Sequence, residues 1–180
     1  MLKPDAESSV DCCVDADFCE LWGTESPNEV TCARSRTGFV VAFASCPSLW
    51  VSESQTEVAL STTEAELTAL SQSMREPMPT KDMALEMVES ARMKKMPTFR
   101  THSTVFEDNN GALALATAPK IAPRSKHFAV KHWFFKEHVS RGTTKTVKVD
   151  AKKQKVDILT KALPIKDFAS ARHLLCGWQV

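Results

Sequence analysis

Short apolar stretches separated by polar linkers dominate the first third of the chain, a pattern typical of β-strands joined by turns. We predict strands over residues 10–14 and 38–43, and a third, interrupted or bulged strand over 48–51 and 56–60. Their close spacing along the chain favours antiparallel pairing between neighbours.

Helical spacing begins after residue 60, where Ser61 or Thr62 can serve as an N-cap. This helix continues until Pro77 and Pro79, which break or kink it because proline lacks the backbone N–H. A second helical stretch is predicted over 81–95.

The remaining elements alternate between strand and helix. In order they are a strand at 103–107, helices at 110–118 and 127–139, a strand at 143–149, a turn at 150–154, a helical segment from 155 and an amphipathic segment at 167–175. The helix at 127–139 has an apolar stripe of Phe128, His132, Phe135 and Val139, and Gly142 is its C-cap. The order predicts an α/β fold in which three antiparallel strands lead into parallel strands, with helices on both faces.

Composition indicates one globular domain, since the chain has 180 residues with 43% hydrophobic and 25% charged. No apolar run approaches the roughly 20 residues of a membrane span, and the N-terminus lacks a signal-peptide core, so we expect no membrane association. Six cysteines lack a paired C-x-x-C spacing. Free, mostly buried thiols in an intracellular, reducing compartment are favoured over a zinc site or disulfides.

Charge is distributed unevenly. Residues 120–161 contain 12 Lys or Arg against 3 Asp or Glu, so this segment carries a net charge of +9 although the whole chain carries only +1. A basic segment in an otherwise acidic chain favours contact with a nucleic acid. The alternative is a solvated helix face followed by a basic loop.

Four acidic residues stand in distinct local settings. Asp15 ends the first apolar run, Glu66 lies in the first turns of a helix, Asp108 follows a strand and Asp157 starts a helical segment. Hard cations such as Mg²⁺ take oxygen ligands, so this set predicts a carboxylate site for two divalent cations.

Two neighbouring acids compete for these positions. Asp17 shares a strand face with Asp15 because side chains alternate with period two, which makes it a candidate secondary ligand. Glu64 lies about 200° around the helix from Glu66, so only one of the two can point inward. We favour Asp15 and Glu66, and we expect Glu64 to interact with the helix dipole.

Five motifs in series carry a family resemblance: SRTGFV (35–40), VALSTTEAELTAL (58–70), EDNNGALALA (107–116), RSKHFAVKHWFFKEHV (124–139) and KVDILTKALP (155–164). Together they resemble the ribonuclease H domain of copia-type LTR-retrotransposon polyproteins. The resemblance spans residues 10–164. It implies the mixed five-stranded ribonuclease H fold and cleavage of the RNA strand in RNA–DNA hybrids.

The resemblance also assigns residues and partners. It implies that the four catalytic and metal-binding carboxylates are Asp15, Glu66, Asp108 and Asp157. They would hold two Mg²⁺ ions, for which Mn²⁺ can substitute. A reverse transcriptase domain is expected upstream in a parent polyprotein, with residues 1–9 a remnant of that chain and residues 165–180 a C-terminal helical tail.

Nucleic-acid contacts are expected from two groups of residues. Candidates for contact with 2′-hydroxyls across the wide minor groove of the hybrid are Gln55, Ser61, Asn109 and Asn110. Candidates for contact with phosphates are Arg124, Lys126 and His127, at a predicted helix start, together with Lys152 and Lys153 in the basic segment.

Two other functions remain open on the sequence. A retroviral-type integrase core shares the fold and the chemistry but needs a late glutamate and no acid in the first helix, so Glu66 and Asp157 argue against it. A catalytically decayed or host-captured domain, acting only in nucleic-acid binding or structure, is the second alternative. The intact set of four acids weighs against it.

Overall fold

A computed structural model describes residues 9–90, 103–118 and 129–176, apart from the side chains at positions 88, 130 and 132. The strands in these ranges are β1 (Val10–Asp17), β2 (Arg36–Phe43), β3 (Cys46–Ser54), β4 (Ser103–Glu107) and β5 (Thr144–Lys148). The α-helices are α1 (Thr62–Ser73), α2 (Pro77–Ser90), α3 (Asn110–Thr117), α4 (Ala129–Ser140), α5 (Asp157–Thr160) and α6 (Ile165–Cys176). Single-turn 3-10 helices occur at Val30–Ala33 and Ala151–Lys153.

The five strands form one mixed sheet in the order β3-β2-β1-β4-β5. The first three strands of the chain pair antiparallel, whereas β4 pairs parallel with both β1 and β5. The antiparallel strands β2 and β3 are joined by a two-residue turn, β1 and β2 by a longer segment over residues 18–35, and the parallel strands are reached through helical crossovers. The predicted α/β fold with a mixed five-stranded sheet is confirmed.

Two strand predictions were wrong in their limits. β1 continues to Asp17, so Asp15 lies inside the strand, paired with Gly38 of β2, instead of ending it. Residues 56–60 do not belong to the sheet, because the chain leaves β3 at Gln55, whose N–H donates to the Ser35 carbonyl at 2.7 Å. Alternating polarity beyond this point therefore reflects a surface segment and not a strand.

The helices also differ from prediction at their ends. α2 begins at Pro77 itself, four residues earlier than predicted, because proline is tolerated in the first turn of a helix. α5 is a single turn that starts at Asp157. Gly142 ends α4 with a φ of +68°, as predicted for its C-cap. Predicted helix at 91–95 and the predicted start at 127–128 lie outside the described residues.

Alternation along β1 divides its side chains between two faces of the sheet. Val10, Cys12 and Val14 join a core with α1 and with Phe135 of α4. On the opposite face, Asp11 and Cys13 line a cavity of about 250 Å³ with Leu175 of α6. Helices therefore cover both faces, as expected.

Two expectations from composition can be compared with the structure. All six cysteines are free thiols, and Cys12 and Cys32 are buried while the other four are partly exposed. Fewer thiols are buried than expected. Among the described residues, none of the helices has the length and apolar character needed to cross a bilayer.

The missing side chain of Gly38 lets α5 approach the sheet. A Cβ atom at this position would lie 2.5 Å from Cγ2 of Thr160 and 3.1 Å from Cβ of Leu159. The contact is reinforced at β3, where the Ser52 hydroxyl donates to the Leu159 carbonyl at 2.6 Å. Because Gly38 is the partner of Asp15 across the strand pair, this close approach brings α5 beside Asp15.

We expect Gly38→Ala to displace α5 and to lower the free energy of unfolding by about 1–3 kcal/mol, the usual cost of overpacking. Urea denaturation measures the decrease in the free energy of unfolding. Amide hydrogen exchange shows whether α5 is the part that is destabilised. The Leu159 and Lys161 N–H groups donate to carbonyls at the start of α5 at 2.8 Å each, so their exchange should become faster if α5 is displaced.

Gly23→Ala is the matched control. Gly23 has no atom within 4 Å of a built Cβ but has a φ of +84°, so its replacement costs stability through the backbone alone. It should leave exchange at Leu159 and Lys161 unchanged. Wild-type exchange at both amides in Gly38→Ala would contradict the proposed role of the glycine.

Candidate metal centre

Three carboxylates meet where the parallel strands β1 and β4 end beside α1. Asp15, Glu66 and Asp108 each offer an oxygen, and these atoms lie within 4.8 Å of one another. Asp15 and Glu66 are only 1% and 6% exposed, whereas Asp108 is partly exposed. The cluster is therefore open to solvent on the Asp108 side.

Strand register explains why two of these acids are neighbours. Cys13 of β1 is the partner of Phe106 in β4, and each strand reaches its acid two residues later, at Asp15 and Asp108. Parallel strands run in the same direction, so both acids project from the same end of the sheet. The carboxyl ends of parallel strands are where ligand sites form in α/β folds.

The N-terminus of α1 decides which glutamate faces the cluster. Ser61 is the N-cap, and its Oγ accepts from the Glu64 N–H at 3.1 Å. The Glu64 carboxylate turns back and accepts from the Leu60 N–H at 2.7 Å. Glu64 thus ties the residue before the N-cap to the first turn of α1 by a direct hydrogen bond, which the sequence did not predict. Glu66 points toward Asp15.

Asp157 lies outside this group of three carboxylates and is linked to it by a cation. The Lys161 ammonium is 2.8 Å from Oδ1 of Asp157 and 3.3 Å from Oδ1 of Asp15. The Thr160 hydroxyl donates to the other oxygen of Asp15. The single turn α5 and the residue after it therefore place the Asp157 carboxylate, the Thr160 hydroxyl and the Lys161 ammonium near Asp15.

Burial and mutual repulsion perturb the acids of the site. Burial raises the pKa of Glu66, and the nearby carboxylates of Glu107 and Asp15 raise it further. Burial also raises the pKa of Glu107, against which a hydrogen bond from the Asn109 N–H acts. The pKa values of Asp108 and Asp157 are raised as well, chiefly by burial. These groups are held in a setting that disfavours their charged forms.

The donor set fits a divalent cation. Within the described ranges, Oε2 of Glu66 and Oε2 of Glu107 are buried without a hydrogen-bond partner. An unpartnered buried carboxylate is costly, and a cation among the three clustered oxygens would offset both the desolvation and the repulsion. Carboxylate oxygens alone favour Mg²⁺ or Mn²⁺ over softer metals.

Among the residues expected to contact nucleic acid, Gln55 requires correction. It is 3% exposed, and its amide donates to Oγ1 of Thr37 at 3.0 Å and to the Ala65 carbonyl at 2.9 Å. Its amide hydrogens tie β2 to α1, so we withdraw it as a ligand contact. Asp17 is partly buried, with a pKa raised mainly by burial, and it is not part of the carboxylate group.

The other candidates lie at exposed or capping positions where they are described. Asn109 caps α3, its Oδ1 accepting from the Ala112 N–H at 3.0 Å, and Asn110 is exposed at the start of that helix. Lys152 and Lys153 are exposed on the 3-10 turn before Asp157. Arg124, Lys126 and His127 lie outside the described residues.

Sequence reasoning missed three residues of the site. Thr160 and Lys161 follow Asp157 by three and four positions, which is the spacing at which side chains meet on a helix. Glu107 shares a strand face with the buried Ser103 and Val105, so a charged residue at a core-facing position was its signal.

Comparison with known proteins finds relatives of the chain among transposon polyproteins. No family model matches the chain. The chain is 27% identical over 143 residues to the retrovirus-related Pol polyprotein from transposon TNT 1-94 of Nicotiana tabacum, covering 79% of the chain and 10% of that protein. It is 30% identical over 139 residues to the corresponding polyprotein from transposon RE1 of Arabidopsis thaliana, covering 76% of the chain and 9% of that protein. The chain thus spans about a tenth of the length of these relatives.

A solved structure agrees with the fold. RNase H1 from the halophilic archaeon Halobacterium salinarum superimposes with a TM-score of 0.50 and 13% identity, over 84% of this chain and 94% of that one. The predicted relationship is therefore confirmed: the chain is homologous to a segment of retrovirus-related transposon Pol polyproteins and has the fold of a ribonuclease H domain.

Proposed function

We propose that this domain is a metal-dependent endonuclease that hydrolyses the RNA strand of RNA–DNA hybrids during reverse transcription of a retroelement. The observation that carries the proposal is the convergence of Asp15, Glu66 and Asp108 within 4.8 Å, with Oε2 of Glu66 buried and unpartnered. Kinship with transposon Pol polyproteins supports the substrate class. A reverse transcriptase domain in the same polyprotein is the proposed source of the hybrid.

Each residue of the site has a proposed role. Asp15, Glu66 and Asp108 hold a divalent cation, and Asp157 with Asp15 forms the place for a second one. Mg²⁺, or Mn²⁺ in its place, supplies Lewis acidity toward the scissile phosphate and lowers the pKa of water. Thr160 orients Asp15 through its hydrogen bond, which fixes the direction of the remaining lone pairs.

Basic and polar groups around the acids suit a nucleic-acid track. Lys152 lines a cavity of about 420 Å³ together with Asp157 and Ser170. Lys153 is its exposed neighbour. Ser61 and Asn109 use their oxygens for the helix caps, so the hydroxyl and amide donors remain suited to 2′-hydroxyls.

The first test of the proposal is cleavage of a labelled RNA–DNA hybrid with Mg²⁺, with and without EDTA. We expect Asp108→Asn to lower the rate by more than the roughly 100-fold typical of outer-shell changes at metal sites, because it replaces a direct ligand. Hybrid affinity should change little, since the interaction acts mainly in the transition state.

Asp82→Asn, at an exposed position of α2, is the control and should cleave at the wild-type rate. Retained cleavage by Asp108→Asn would remove this residue from the site. A wild-type protein that binds the hybrid but never cleaves it would favour the decayed, nucleic-acid-binding alternative.

Raised carboxyl pKa values predict how pH affects the metal-free fold. A carboxyl with a higher pKa in the folded chain holds its proton more tightly there than in the unfolded chain. Its contribution to stability is complete below the ordinary glutamate pKa of about 4.3 and is lost as pH rises toward the folded value. The folded pKa is raised to about 8 for Glu107 and to about 10 for Glu66. In EDTA, we therefore expect Tm to fall as pH rises from about 5 to about 10, and we expect Mg²⁺ to raise Tm more at the higher pH.

Glu66→Gln should flatten this dependence and abolish the Mg²⁺ effect, because it removes the most strongly perturbed ligand. Glu64→Gln is the matched control, since a glutamine oxygen can still accept from the Leu60 N–H. Circular dichroism melts across pH measure both variants. If Glu64→Gln, and not Glu66→Gln, lost the Mg²⁺ effect, the assignment of the inward-facing glutamate would be wrong.

Salt dependence tests the basic segment. Each phosphate neutralised by a cation contributes about −0.9 to the slope of log K against log salt, through counterion release. Lys153→Ala should reduce the magnitude of that slope for hybrid binding by about one and weaken all sequences alike. Lys81→Ala, on α2 and outside the segment, should leave the slope unchanged. Equal slopes for wild type and Lys153→Ala would exclude this lysine from the phosphate track.

A further inference from the structure

The Lys161 ammonium lies between two of the acids proposed to bind metal. It is 2.8 Å from Oδ1 of Asp157 and 3.3 Å from Oδ1 of Asp15. The lysine is held there by its backbone, because its N–H donates to the Asp157 carbonyl at 2.8 Å and ends α5. Its side chain is 37% exposed, so it has room to move away.

The same contacts make the two candidate ion positions unequal. Asp15, Glu66 and Asp108 each place a carboxylate oxygen within 4.8 Å of the other two, and Oε2 of Glu66 is buried without a hydrogen-bond partner among the described residues. The position between Asp15 and Asp157 already contains a positive charge. A divalent ion can enter the first position directly but must compete with an ammonium group for the second.

We propose that Lys161 acts as a built-in cation in the place of a second divalent ion, so that the resting domain binds one divalent ion at Asp15, Glu66 and Asp108. A second ion enters between Asp15 and Asp157 only when the lysine side chain withdraws. This inference rests on the metal-binding part of the proposed function and concerns the order in which the site fills.

The net charge of the site explains how the substrate would affect binding of the second ion. One divalent ion and one ammonium bring three positive charges to the four carboxylates, and a second divalent ion that displaces the ammonium would bring the total to four. The scissile phosphate brings further negative charge to the site, which favours both the second ion and a shift of Lys161 toward the phosphate. Lys161 is thus a positioning residue that ties full occupancy of the site to the arrival of a polyanion.

Calorimetric titration with Mn²⁺ in the absence of nucleic acid tests the inference on the full chain. Wild type should bind one ion per chain, with any second ion at least about tenfold weaker. Lys161→Met should bind two ions, the second at least about tenfold more tightly than in wild type. Lys161→Arg keeps a cation and should retain one ion. Lys145→Met, an exposed lysine on β5, is the control and should also retain one.

Several results would overturn the inference. One such result is that wild type binds two Mn²⁺ ions with similar affinity. Another is that Lys161→Met binds its second ion no more tightly than wild type does. If Lys161→Met does not fold, the number of Mn²⁺ ions bound by wild type and by Lys161→Arg tests the inference, and two tightly bound ions in either protein would overturn it. Hybrid cleavage is measured separately: a protein with the expected ion counts but no cleavage would support the role of Lys161 and contradict the proposed activity.

Discussion

Burial of mutually repelling carboxylates beside Asp15 is the constraint on which the rest of this structure depends. Glu66 and Glu107 are almost wholly inaccessible, and each leaves one carboxylate oxygen without a hydrogen bond among the described residues. Such groups destabilise a fold unless a cation or a bound proton compensates them. Lys161 compensates part of this charge from within the chain. The negative charge that Lys161 leaves uncompensated is a structural reason for this domain to bind a divalent ion.

The fold assembles this charge from segments that are distant in sequence. Parallel pairing of β1 with β4 brings Asp15 next to Asp108, and packing of α1 against β1 adds Glu66. The last component arrives with α5, which approaches the sheet only because Gly38 has no side chain. A glycine in a strand interior usually weakens it, so its presence opposite Asp15 indicates that the close approach outweighs that cost.

Helix caps link the stability of the domain to its site. Ser61 and Glu64 close the N-terminus of α1 two turns or less from Glu66, and Asn109 closes α3 directly after Asp108. The orientation of Glu66 and Asp108 thus depends on satisfying backbone N–H groups that would otherwise lack partners. Gln55 belongs to the same supporting structure, since its amide joins β2 to α1 from a buried position.

Local patterns in the sequence determined the order of strands and helices, a helix cap at Ser61 or Thr62, the Gly142 cap and the settings of Glu66, Asp108 and Asp157, because each depends on residues a few positions apart. Only the tertiary structure decided that residues 56–60 leave the sheet, that the amide of Gln55 is used internally and that a buried Glu107 lies near enough to Glu66 to raise its pKa. The contacts of Thr160 and Lys161 with Asp15 join residues about 145 positions apart. Such contacts are set by strand pairing and by the space above Gly38, so no short-range pattern could reveal them.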